Sequence, residues 1–138
     1  MSWPLEPDQI HGWESGPNRT RIARLSRHVI GVELVGSIPV EGCMALEPWL
    51  EHYLPDSGAA HLFWNAHAMK DYDPSLRWRF QKILSRHRAE WEAMHVLFTS
   101  VFVGMITAAV NLTYGGGIRM HRDPVAFDAA LERTLAVQ

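Results

Sequence analysis

Between Phe63 and Phe80 the chain reads FWNAHAMKDYDPSLRWRF, which gathers Asn65, His67, Asp71, Asp73 and Ser75 into one short stretch. A second polar step, His121 and Asp123, precedes a proline in MHRDP. Histidine is the usual general base and aspartate its usual orienting partner. His67 or His121 with Asp73 or Asp123 is therefore the residue set for acid–base chemistry, and Ser75 or Ser100 could serve as nucleophile. The same residues also have an architectural reading. Asp73-Pro74 and Asp123-Pro124 each offer a carboxylate at a helix N-cap followed by proline at the first helical position, where no amide hydrogen is needed. Asp71 would add favourable charge near the positive end of the first of these helices.

Eight histidines invite a metal reading, but their spacing gives it little support. Glu92 and His95 have Glu-x-x-His spacing in a single copy, and no His-Glu-x-x-His or cysteine pair occurs. The triple glycine in YGGGI follows a helix and precedes a strand, the reverse of a phosphate-binding loop, and reads as a helix stop. No metal and no cofactor is expected.

These residues need elements to hold them. At 138 residues the chain has the size of one domain. A formal charge of −2 argues against a dedicated nucleic-acid or anionic-membrane binder. One cysteine, Cys43, excludes an intramolecular disulfide, and the opening MSWPLEPDQIHGW lacks the basic and apolar regions of a secretory signal, so a cytoplasmic, bacterial-type protein is expected. Residues 1–18 read as a Pro/Gly-rich tether and 19–138 as a single domain. Within it TRIARL and VIGVELV form a hairpin, and VEGCMALEPWLEHYL is a helix that Pro48 should kink or restart near Glu47. HLFWNA, HVLFTS and IRMH are further strands, with helices over Pro74–Glu92, Val101–Tyr114 and Pro124–Ala136. The order β-β-α-β-α-β-α-β-α implies an α/β fold with a mostly parallel five-stranded mixed sheet. In such a sheet the loops leaving the strand C-termini share one edge, which brings the polar residues of the opening stretch toward His121 and Asp123.

Val96 to Ile118 carries no formal charge, yet Thr99, Ser100 and Asn111 divide it into runs shorter than a membrane span, and it reads as soluble core. On the helix starting at Pro74, Leu76, Phe80, Ile83, Leu84, His87 and Trp91 fall on one side. Arg79, Lys82 and Arg86 make a basic stripe on the far side. Trp78 lies almost opposite the apolar face, so it packs on a neighbouring helix or is exposed beside cations, the composition of a partner-binding hot spot.

The element order and the stretch WNAHAMKDYDPSL resemble the STAS domains of anti-sigma factor antagonists, in particular the divergent SpoIIAA-like branch. The likeness spans about Arg21 to Leu135 and includes VGMITAAVNLTYGGGIRMHRD. It implies a non-enzymatic regulatory or interaction module whose protein partner, an anti-sigma-type kinase or sensor, reads the surface of Asp73, Ser75, Trp78, Arg79 and Lys82. Ser75 falls on the serine that antagonists have phosphorylated, although Pro74 and Leu76 replace that motif's first serine and glycine. A homodimer is compatible with this reading. Two alternatives stand beside it: a carrier whose pocket Met44, Met69, Met94, Met105, Met120 and the tryptophans line, and a small enzyme built on the His/Asp set.

Overall fold

The computed structural model describes residues 10–99 and 117–137. Its elements are β1 (His11–Ser15), β2 (Asn18–Ser26), β3 (Val29–Ile38), α1 (Val40–Met44), α2 (Glu47–Ser57), β4 (Ala60–Asn65), β5 (Met69–Tyr72), α3 (Ser75–Arg86), a 3-10 turn (Arg88–Glu90), β6 (Trp91–Leu97), β7 (Ile118–His121) and α4 (Pro124–Ala136). The expected helix over Val101–Tyr114, with Met105, and the end of the fourth expected strand at Ser100 lie outside the described residues.

The sheet runs β1-β2-β3-β4-β6-β7, with β5 added beside β3. β1–β2 and β2–β3 are antiparallel, and every later pairing is parallel, as alternating strands and helices require. The mostly parallel mixed sheet is thus present, but among the described residues it has seven strands rather than five. β1 arises inside the segment read as a tether: His11–Ser15 pairs in register with Asn18–Ile22. β5 arises from MKDY, which pairs with the overhanging end of β3.

Alternation along the strands sorts two cores. Ile22, Ile30, Val32, Leu62, Trp64, Met94 and Val96 face the layer of α1, α2 and α3, against Leu50, Leu54, Phe80 and Ile83. Val29, Phe63 and Leu97 face α4 and pack on Phe127, Ala130 and Leu131. With apolar side chains committed to both faces, Leu62–Trp64 of β4 run apolar without a break.

Two boundaries carry a physical lesson. Pro48, at the second position of α2, lacks an amide hydrogen, and the chain restarts there as two helices, α1 and α2, near the expected Glu47. The helix expected to reach Glu92 instead stops at Arg86. Trp91, expected on its apolar face, opens β6 instead, and its indole N–H donates 2.9 Å to the Leu84 carbonyl in the last turn of α3. His87 leaves the apolar face and bridges carboxylates: Nε2 bonds Glu51 Oε2 at 2.6 Å and Nδ1 bonds Glu90.

Candidate functional site

The start of α3 is fixed by backbone first. β5 extends along Gly36–Ile38, and the amide of Asp73 donates 2.8 Å to the Ile38 carbonyl. Pro74 already has helical angles (φ −55°, ψ −26°), so Asp73 stands at the entry. Its Oδ1 accepts from the Ser75 amide at 2.9 Å and from the Ser75 hydroxyl at 2.6 Å. Those two bonds, the hydroxyl's first, hold the Asp73 carboxyl below the ordinary carboxylate range. The expected Asp-Pro cap is thus displaced by one residue at α3, where Pro74 holds the cap position, whereas Asp123 is the cap of α4 and accepts from the Val125 amide at 3.0 Å.

One turn along α3, Trp78 is 55% exposed, whereas Leu76, Phe80, Ile83 and Leu84 are buried. The guanidinium of Arg79 lies 5.6 Å from the centre of the Trp78 ring. Arg79 was expected in a solvated basic stripe. It instead reaches the first turn of α2, where it forms a two-point pair with Glu47, Nη2 to Oε2 being 3.0 Å and Nε closing the second contact. Arg86 likewise pairs with Glu51 at 2.6 Å. Lys82 is exposed, and Ser75 is half-buried. Glu47 also accepts from the Cys43 thiol at 3.7 Å. Burial, reinforced by the Glu47 charge, pushes that thiol up to about 12, so Cys43 stays protonated and inert.

The proposed acid–base set is distributed differently. Among the described residues neither His67 nor His121 bonds to Asp73 or Asp123; both aspartates are turned onto their own helices. His67 is exposed, with its backbone held by Asn65 Oδ1 and Thr99 Oγ1. His121 belongs to a cluster that sequence reasoning missed. Its Nε2 lies 3.0 Å from Nδ1 of buried His95, whose ring stacks flat on Phe63 at 4.4 Å. Phe127 of α4 closes the cluster edge-on. The period-two alternation of β6 and β7 was the signal available: His95 pairs with Arg119 and Leu97 with His121, so the two histidines lie two register positions apart on one face of the sheet. The methionines are scattered: Met94 is core, while Met44 and Met120 are exposed.

Among the described residues no group of histidine, cysteine and carboxylate side chains is placed to hold a metal ion, and no helix is long and apolar enough to cross a membrane.

No family model matches the chain, and no curated protein matches it. Solved structures do. One is a DUF3478-family protein with a SpoIIAA-like fold from Shewanella loihica PV-4, at 17% identity and a TM-score of 0.64 over 95% of this chain and 98% of that one. A second is the anti-sigma factor antagonist SpoIIAA in its unphosphorylated form, at 12% identity and a TM-score of 0.61 over 83% of this chain and 96% of that one. A third is the Bacillus cell fate determinant SpoIIAA in its phosphorylated form, at 13% identity and a TM-score of 0.57 over 80% and 98%. At such identities the likeness is one of fold.

Proposed function

Starting from a chain with the SpoIIAA-like fold of STAS domains, we propose that it is a non-enzymatic regulatory module that binds a protein partner through the start of α3. The observation that carries this reading is Trp78, an exposed indole beside an arginine that is itself held by Glu47. A flexible surface tryptophan would lose side-chain entropy on binding, whereas one backed by a tethered guanidinium loses less, and aromatic anchors of this kind dominate interface energetics. Lys82 lies one helical turn beyond, and the Asp73–Ser75 pair one turn before, so a partner seated on Trp78 spans both.

SpoIIAA is known in phosphorylated and unphosphorylated forms. By analogy Ser75 is the phosphoacceptor for a kinase of the anti-sigma type. Its hydroxyl already donates to Asp73, a carboxylate placed to take the proton as Oγ attacks the terminal phosphorus of a nucleoside triphosphate and the diphosphate leaves. The product carries about −1.5 to −2 charges at the amide end of α3, where the helix favours it and Asp71 and Asp73 oppose it. Phosphorylation would then change the local field more than the fold.

The test begins with capture of the partner by the wild-type protein. Trp78→Ala should weaken its binding by roughly 2 kcal/mol or more while leaving the melting temperature in place. Ser75→Asp should weaken binding through charge, and Ser75→Ala should not. Unchanged affinity for both Trp78→Ala and Ser75→Asp would remove the surface from this face.

A further inference from the structure

On the opposite side of the sheet, α4 leaves an open cavity of about 240 Å³ against β4, β6 and β7. Its polar lining is His61, His95, Arg119, Arg133 and Thr134, and no carboxylate among the described residues lines it. We propose that this cavity binds the phosphate group of a small organic phosphomonoester.

The charge arrangement makes the case. Arg119 and Arg133 bring two guanidinium groups to one small cavity in a protein of net charge −2, and neither takes part in an ion pair among the described residues. Glu92, on the same strand as His95, is taken by His61 Nε2 at 3.1 Å. Arg133 in the last turn of α4 also answers the negative end of that helix, which alone would repel an anion. Arg119 comes from the sheet and has no such duty. Two guanidinium forks suit the oxygens of a dianion, while a monoanionic carboxylate would neutralise only one of them.

His95 adds direction. Its ring is fixed by Phe63 and its Nδ1 by His121, which leaves Nε2 as the nitrogen not committed to the His95–His121 contact. Burial first, then the charges of His121, Arg119 and neighbouring cations, keep the imidazole neutral at neutral pH, with a pKa of about 4. A neutral imidazole can donate Nε2–H to a phosphate oxygen, and the surrounding guanidinium charges favour that anion over a metal cation. Ala93 and Ala130 supply an apolar wall, and the volume limits the organic part to a small one.

The test follows the imidazole resonances of His95 and His121 by NMR while the full chain is titrated with inorganic phosphate, propyl phosphate and propionate. Both phosphates should give saturable shifts, propyl phosphate binding the tighter, and propionate should not saturate. Arg119→Gln and Arg133→Gln should each weaken phosphate binding by about tenfold or more, and Arg86→Gln, outside the cavity, should leave it unchanged. Arg→Lys variants replace any Gln variant that fails to melt cooperatively, since they keep the charge and lose the fork. Absence of a saturable shift in the wild type, saturation by propionate at equal affinity, or binding unchanged in both arginine variants would each overturn the proposal.

Discussion

His87 follows the last turn of α3, His95 lies within β6, and the two respond to pH in opposite senses. Burial pulls the His87 imidazole down, but its hydrogen bonds to Glu51 and Glu90 outweigh that and raise it above its ordinary value. The stability it contributes is complete below an unfolded pKa of about 6.5 and is lost as pH rises through the folded value. His95 is depressed to about 4. Its unfolded form takes up a proton first, so stability is intact above pH ~6.5 and falls as pH drops toward 4, by an amount on the order of 3 kcal/mol. Urea midpoints measured against pH should therefore decline on both sides of neutrality. His95→Gln should flatten the decline between pH ~6.5 and ~5, above the carboxylate range, and His87→Gln should flatten the alkaline side. An acid slope unchanged in His95→Gln would remove His95 as its source. Residues with local partners were legible in the sequence: Asp123 caps α4 as Asp-Pro spelling indicates, while Asp73 stands one residue outside the cap position, which Pro74 takes, and still binds Ser75. Arg79 and His95 were not, because their partners lie 32 and 26 residues away and only the fold brings them together.

At the scale of elements, β3 changes partner partway along its length. Val29–Glu33 pair with β4 and Gly36–Ile38 with β5, and the switch falls at Gly36, where the ladder shifts. Gly36 has φ +79°, and a Cβ there would lie 2.2 Å from Asn18 Oδ1, the atom that accepts the Ser37 amide at 2.9 Å. Gly36→Ala should cost about 1–3 kcal/mol in chemical denaturation, and because β5 aims α3, partner binding through Trp78 should fall with it. Full retention of the urea midpoint would show that the backbone there relaxes freely. β5 and β1 are the strands that the sequence does not announce. MKDY offers no apolar alternation and pairs only because β3 overhangs β4. His11–Ser15 is just as silent, since its pairing depends on β2 already being in place. α3 ends early because Trp91 contributes more by filling the core from β6 than it would on a longer helix, a choice that helical periodicity cannot express.

For the whole molecule, the order of strands and helices carried the fold: alternating units give parallel crossovers, and the buried runs in β3, β4 and β6 left little freedom in where the sheet lay. The two faces divide the roles proposed above, with α1–α3 and the Trp78 surface on one side and α4 with its cationic cavity on the other. Because β3 is hydrogen-bonded to β2 along one side and to β4 and β5 along the other, it has no free edge over most of its length. Its amides should exchange with deuterium only when the entire domain opens, so their exchange free energy should equal the global unfolding free energy. Those of β1, which pairs with β2 alone in the described sheet order, should exchange through local fraying at a fraction of that energy. Equal protection across β1 and β3 would mean that the hairpin end and the centre of the sheet come apart as one unit, and that the extra strand at the start of the chain is part of the same cooperative core.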